Sequence, residues 1–404
     1  MGTGILILGV VILVGFIGNF FFKKTRVPES VFLMLIGIAL GPVLGIVSGE
    51  FFVENASFLI SLALVVVLLD SGLALNMAKA AKNAPKALVF TILVMLSTIS
   101  VVAGVTYFFF GWPLINGIFL GIIGSGTTTI TITHLVERLS IGRNTKTLLI
   151  LESVINDITL ITSISILLMF MSTEGKSSIL KVVFNELGVS FILGLAFALV
   201  WAYIFLRYIH GNKLAYVFTL GMAFVVFDGV EFFGFNGAIA ALVFSLALGN
   251  YSYMVGKLKK YSKILAPVKA DILTIRNINS EITFIMRTLF FFFLGVIFDK
   301  GAVKGGVIVF VLIIVVSEVV SRFIAAKALS LFEPRFKNSV PVLTTLVASG
   351  FTSTLVAFLS IEAGIKIPNL AEIVLLLVMF TTLWAIVGTA VIERRLSKAR
   401  VKTY

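Results

Sequence analysis

Gly124-Ser125-Gly126-Thr127-Thr128-Thr129 stands in the middle of an apolar run over 113–134, and Ser349-Gly350-Phe351-Thr352-Ser353-Thr354 stands in the middle of another over 341–362. Each is a Ser-Gly pair followed by hydroxyl residues. Glycine weakens a helix, and clustered hydroxyls can bond the backbone groups that a break sets free. Both stretches therefore read as interrupted membrane helices. The competing reading is that the small residues serve close helix packing alone.

The rest of the chain decides between these readings. Runs able to cross a hydrocarbon core of ~30 Å fall at 3–22, 30–48, 55–76, 87–110, 113–134, 147–171, 182–209, 214–230, 233–250, 279–298, 302–328, 341–362 and 370–393, thirteen in all. The first has no basic residue before it and no small-residue cleavage pattern after it, so it reads as a span and not as a signal peptide. Segments 1–6 and 8–13 then form two six-helix halves. The odd segment 7 between them gives the halves opposite topology, an inverted repeat. The two Ser-Gly stretches fall in segments 5 and 12, at corresponding places of the two halves, and that favours interruption. The expectation is an all-α polytopic membrane protein of thirteen transmembrane helices with two broken, crossing helices.

Composition agrees. Of 404 residues, 59% are hydrophobic and 13% charged, against roughly 25% charged in soluble domains; mean hydropathy is +1.13. A soluble enzyme, a disordered chain and a nucleic-acid-binding domain are excluded. The formal charge of +13 has another explanation. On alternate connections the basic residues number 25 on one side and 5 on the other, with Arg287 and Arg322 inside spans. By the positive-inside rule the N-terminus lies outside and the C-terminus in the cytoplasm of a multi-pass cell-membrane protein. The lysine-rich connection 251–278 reads as a linker between halves. There is no cysteine, so thiolate metal sites are excluded, and the two histidines, His134 and His210, cannot build a multi-histidine site. Both fall near span ends and read as interfacial. In segment 2, Gly37, Gly41 and Gly45, with Pro42 among them, share a helix face suited to packing; a dimer contact is the weaker reading.

Ionisable residues inside a span are costly and functional by default. Asp70, Glu152, Asp157, Arg287, Glu318 and Arg322 qualify. Asp70 and Arg287 lie toward span ends, where a structural role is as good a reading. Glu318 and Arg322, four apart, can pair along one helix. Segment 6 carries Glu152-Ser153-Val154-Ile155-Asn156-Asp157. Ser153 and Asp157 share a face, whereas Glu152 and Asp157 point apart and so serve different purposes. Glu152 reads as one half of a structural ion pair. Asp157, a carboxyl beside amide and hydroxyl oxygens, suits a hard monovalent cation.

Glu-Ser-x-x-Asn-Asp on the sixth of thirteen spans resembles the monovalent cation/proton antiporter superfamily, and within it the electroneutral sodium/proton branch of NhaP-type and animal exchangers. The resemblance covers nearly the whole chain: Arg26-Val27-Pro28 with Leu35-Ile36-Gly37 and Gly41-Pro42 in the second span, Gly234-Phe235-Asn236-Gly237-Ala238-Ile239-Ala240 through Leu248-Gly249-Asn250 in the ninth, Phe291-Phe292-Phe293-Leu294-Gly295 in the tenth, and Arg322 before Phe323-Ile324-Ala325 in the eleventh. It implies that Asp157 binds proton or cation (Na+, with K+ or Li+ open), that Asn156 marks the electroneutral branch, and that Glu152 pairs with Arg322. Ser153 and the segment-5 threonines, Thr127 and Thr128 among them, would help form the site, with Ser349, Gly350 and Thr352 as its second-half counterpart. It also implies a homodimer in the lipid bilayer, with core helices over 87–171 and 302–393, scaffold helices over 3–76 and 182–298, and a short tail at 394–404.

Two departures stand out. The family's Thr-Asp-Pro in the fifth span is here Thr127-Thr128-Thr129, which is closer to the Kef-type potassium/proton branch, and Arg287 stands where animal exchangers carry a glutamate. A Kef-like system would carry a nucleotide-binding domain after its spans, where only the short tail is present. No phosphate-binding loop pattern occurs, which counts against an ATP-driven pump; no cofactor and no nucleotide is expected, and the placement of the basic residues requires no nucleic-acid partner. A channel would not need a lone titratable carboxylate between broken helices, and no Ser/His or metal-ligand set supports an intramembrane enzyme. The expectation is secondary cation/proton antiport.

Overall fold

A computed structural model describes residues 2–25, 27–75, 83–172, 187–209, 211–251, 262–303 and 305–401. His210 and part of the lysine-rich connection (252–261) lie outside the described residues. All regular structure among the described residues is helical. The elements are α1 (Gly2–Thr25), α2 (Glu29–Ile38, continued by a wide π turn over Ala39–Val43), α3 (Glu50–Glu54), α4 (Ala56–Ala74), α5 (Ala84–Phe110), α6 (Leu114–Gly124), α7 (Thr129–Arg138) and α8 (Arg143–Ser172). They continue with α9 (Gly188–Ile204), α10 (Ala215–Phe232), α11 (Gly237–Gly249), α12 (Ser262–Val296), α13 (Gly305–Phe332), α14 (Val340–Thr345), α15 (Phe351–Glu362) and α16 (Leu370–Val401).

Eight described helices are long and apolar enough to cross a membrane, and α6 with α7 forms a bent pair at 41° that would make nine. Four shorter apolar helices lie at Leu6–Phe20, Glu29–Val43, Gly237–Gly249 and Phe351–Ile361. Local chemistry sets the ends. Pro85 sits in the first turn of α5, and Gly111 ends that helix in the left-handed region at φ 65°. Pro42 lacks an N–H and sits in the wide turn that closes α2. Asn236 caps α11, its Oδ1 accepting from Ile239 N at 2.9 Å.

The chain divides into two compact units. The first comprises Met1–Ser57, Asn83–Leu160 and Arg287–Tyr404; the second comprises Phe58–Lys82 and Ile161–Met286. In the first, Phe90 and Val94 of α5, Ile132 and Val136 of α7, Leu148 of α8, Ala326 of α13 and Leu343 of α14 are fully buried in one apolar cluster. Phe52, Phe290, Phe293 and Phe358 form a second, aromatic cluster with ring centroids 4.8–5.9 Å apart. Gly37 and Gly41 lie against the backbone of Phe292, Gly295 and Val296, so their lack of Cβ lets α2 and the end of α12 touch. Gly45 does not share that face: it lies beyond the helix at φ 66° with open space around it. The π turn ends the helix first, which the glycine spacing alone did not show. Lys86 bonds Glu333 across the connection after α13, and this contact holds the Glu333 carboxyl below the usual carboxylate range.

In the second unit polar side chains tie helices together inside an apolar surround. Ser245 Oγ on α11 donates to Leu68 O on α4 at 2.9 Å, and Asn279 Nδ2 on α12 donates to Val66 O at 3.2 Å. Trp201 Nε1 donates to Thr219 Oγ1 at 3.1 Å. Each satisfies a buried group that would otherwise cost several kcal/mol in hydrocarbon.

Candidate ion-binding site

The site lies within the first unit. α6 stops at Gly124 and α7 starts at Thr129; between them residues 126–128 are not helical. α14 stops at Thr345 and α15 starts at Phe351, with 346–350 not helical. The two gaps meet. Thr128 N donates to Ala348 O at 2.8 Å. A Cβ on Gly126 would collide with Ser353 Oγ, and one on Gly350 would collide with the Thr128 side chain. The Ser-Gly signature thus serves both readings considered from sequence: it interrupts each helix, and it lets the two interrupted segments touch.

A break in a membrane helix frees backbone groups, and one side chain of α8, Asn156, takes up two of those of the first gap. Asn156 Oδ1 accepts from Thr127 N at 2.8 Å, while Asn156 Nδ2 donates to Ser125 O at 3.0 Å. Both ends of the amide are therefore committed to holding the gap. Glu152 accepts from Thr127 Oγ1 at 3.3 Å. It also receives Arg322 from α13 in a two-pronged pair, Nη1 to Oε1 at 3.0 Å and Nη2 to Oε2 at 3.2 Å. Arg322 Nε donates to Leu343 O at 3.0 Å, near the end of α14, and its guanidinium lies 5.3 Å from the Phe90 ring centroid. Glu152 and Arg322 are both fully buried. Glu318, also fully buried, has neither carboxyl oxygen hydrogen-bonded. Of the two pairings open from sequence, the structure places Arg322 on Glu152.

Asp157, one residue beyond Asn156 on α8, bonds both interrupted segments. Its Oδ1 accepts from Thr352 Oγ1 at 2.6 Å and its Oδ2 from Thr129 Oγ1 at 3.0 Å. One hydroxyl comes from the start of α7 and the other from the start of α15, so a single carboxylate joins the two half-helices that follow the gaps. A hydroxyl that donates to a carboxylate also carries lone pairs and can turn to ligate a cation. These donors are all oxygens, the ligand type that hard cations take. Among the described residues no group of three His, Asp or Glu could hold a metal ion together.

The other residues singled out from sequence fall nearby in different ways. Ser153 Oγ donates to Ile150 O at 3.0 Å on its own helix. Thr128 packs its side chain on Gly350. Ser349 N donates to Thr381 Oγ1 at 3.0 Å, and its own Oγ is buried without a hydrogen bond. Of the segment-5 threonines expected to help form the site, Thr129 is the one whose hydroxyl bonds Asp157. Arg287 faces Glu29 at 4.0 Å, both nearly buried. His134 Nδ1 donates to Ile130 O at 2.9 Å within α7.

A bundle of membrane helices, two of them interrupted and meeting at one buried carboxylate, is the build of an ion transporter. The family described as sodium/hydrogen exchanger, transmembrane, matches residues 9–392, and the chain belongs to it. Its fold is similar to that of the sodium proton antiporter MjNhaP1 from Methanocaldococcus jannaschii. Against the structure of that protein at pH 8 the TM-score is 0.79 at 16% identity, over 96% of each chain. Against its electron-microscopy map the TM-score is 0.74 at 17% identity, covering 100% of this chain and 99% of that one. None of the curated proteins matches the chain. The chain is a polytopic membrane transporter of the cation/proton antiport class.

Proposed function

We propose that the protein exchanges one monovalent cation, sodium in the first instance, for one proton by alternating access, with Asp157 as the shared site. The observation that carries this reading is the Asp157 carboxylate bonded by Thr129 and Thr352, one from each interrupted segment. Proton and cation compete for it, and a neutralised carboxylate crosses a low-dielectric barrier more cheaply than a charged one. Asn156, its amide spent on the first gap, adds no second acid. The test is ion-by-ion recovery of a pH-gradient dye in proteoliposomes. A response to Na+ or Li+ is the expected outcome; none to any alkali cation would end the reading.

The wider architecture is part of the same proposal. Among the described residues the eight long helices, the bent pair and the four shorter apolar helices together number thirteen, which supports thirteen spans; the reading of two inverted halves rests on the matching Ser-Gly stretches. Core helices over 87–171 and 302–393 would move against scaffold helices over 3–76 and 182–298 in a homodimer of the cell membrane, N-terminus outside and C-terminus cytoplasmic. Potassium/proton exchange is the second reading. It is favoured by the hydroxyl-only gap Thr127-Thr128-Thr129, which carries no fixed negative charge.

One carboxylate handling one cation or one proton leaves both crossing states with equal net charge. An imposed potential is therefore expected to leave the equilibrium ΔpH of cation-driven exchange unchanged in proteoliposomes clamped with valinomycin. One net charge per cycle would be worth ~2.3 kcal/mol at 100 mV, a shift large enough to read and to reject electroneutrality.

Thr352→Val keeps the side chain's shape and removes one oxygen from Asp157. Hydrogen bonds to charged groups are worth roughly 1.5–3 kcal/mol, so the half-saturating cation concentration is expected to rise about tenfold or more. Concentration series of wild type and variant check this, and an unchanged value removes Thr352 from the site.

A further inference from the structure

We propose that the groove between α13, α14 and α16 binds an acyl chain of an anionic phospholipid, with Lys327 and Arg395 holding its headgroup. The groove has a volume of about 450 Å3 and is walled by Phe323, Pro341, Thr345, Trp384, Val387 and Arg395, among others. That volume falls inside the range of ~300–1,000 Å3 found for ligand pockets. Its wall is almost wholly apolar, and no described residue lining it is acidic. A groove of this kind in a membrane protein is filled by lipid chains. Its charges and its length give this one a preference among lipids.

The charges lie toward one end. Arg395 is eleven positions beyond Trp384 on α16, a rise of roughly 16 Å. Half of a ~30 Å hydrocarbon core is roughly 15 Å. A chain lying from Trp384 toward Arg395 would thus span one leaflet and deliver its headgroup to the guanidinium. The second cation comes from α13: Lys327 Nζ lies 5.8 Å from the ring centroid of Phe323, a wall of the groove, and Lys327 is exposed. A basic group near the headgroups favours anionic lipid by roughly fivefold. The occupant would also rest on α14, the half-helix that leads into 346–350 and whose Leu343 carbonyl takes Arg322. Lipid seated there therefore bears directly on one of the two interrupted segments.

Trp384 provides the readout. The chain has three tryptophans, and the difference in fluorescence between wild type and Trp384→Phe isolates the one in the groove. Purified protein in mixed micelles is titrated with brominated phosphatidylglycerol and, separately, with brominated phosphatidylcholine. The Trp384 share is expected to be half-quenched at a mole fraction of phosphatidylglycerol at least fivefold lower than of phosphatidylcholine. The double variant Lys327→Ala/Arg395→Ala, changed only at exposed positions, should raise the phosphatidylglycerol value to that of phosphatidylcholine. Glycerol phosphate, an anion without chains, should not displace the lipid. Equal values for the two lipids in wild type, selectivity kept in the double variant, or displacement by glycerol phosphate would each overturn the proposal. With the orientation given above, the cytoplasmic leaflet would be the source of this lipid. That reading is checked separately by one-sided labelling of Lys402→Cys in sealed vesicles, whose result leaves the micelle titration unaffected.

Discussion

Asp157→Asn is expected to abolish cation-driven proton movement while leaving a protein that folds and purifies like wild type. The argument rests on what the amide can and cannot replace. Thr352 and Thr129 donate to Oδ1 and Oδ2 at 2.6 and 3.0 Å. An asparagine oxygen accepts one of these bonds, and the hydroxyl facing its NH2 can turn to accept instead, since a hydroxyl both donates and accepts. The contact between the start of α7 and the start of α15 therefore survives. Exchange at a charged site does not. The amide neither takes up a proton in the physiological range nor supplies the negative charge that offsets a cation's desolvation. The measurement is dye recovery in proteoliposomes at matched protein density, with melting in detergent as the control on folding. Cation-coupled proton transport persisting at the wild-type rate would remove Asp157 from the centre of the mechanism.

The membrane character and the place of the two gaps were legible in the sequence because both are written in composition. Apolar runs report burial in lipid, and Ser-Gly followed by hydroxyls reports a helix that cannot continue unaided. The face that each hydroxyl turns to Asp157 was harder to read. Thr127, Thr128 and Thr129 are adjacent and chemically alike, and periodicity cannot phase them because the gap has no period. Thr127 is spent on Asn156 and Glu152, Thr128 packs on Gly350, and Thr129 reaches the carboxylate. Only the backbone path between α6 and α7 decides among them. In the second gap Thr352 was named from the sequence, and its hydroxyl is the one that reaches Asp157. Gly45 failed for a related reason. Its i+4 spacing from Gly41 assumes a regular helix, and the wide turn around Pro42 ends that regularity first. Residue spacing alone left the partner of Arg322 open between Glu318 and Glu152, and only the family resemblance pointed to Glu152. Glu318 is four residues back on the same helix and is the nearer partner along the chain, yet the guanidinium reaches across to α8.

That choice of partner sets the largest expected loss of stability. Glu152→Ala should destabilise the protein by roughly 3–5 kcal/mol, the cost of leaving one charge of a buried pair unmatched. The loss is compounded by geometry. Glu152 accepts both guanidinium nitrogens and the Thr127 hydroxyl, so its removal strips an acceptor from α13 and from the first gap together. Arg322 would keep its bond to Leu343 O and its place over the Phe90 ring, too little to compensate a full charge at zero exposure. Glu318 gives the contrast. Neither of its carboxyl oxygens is hydrogen-bonded, so Glu318→Gln removes no hydrogen bond and should leave stability within about 1 kcal/mol, the scale of a single neutral hydrogen bond. Melting of the two single variants and of the pair, in the same detergent, decides between the partners. A severe loss in Glu318→Gln with a mild one in Glu152→Ala would place the ion pair along α13. The reverse order, with Arg322→Met in a Glu152→Ala background recovering part of the loss, would show that the unmatched charge is the source of the instability.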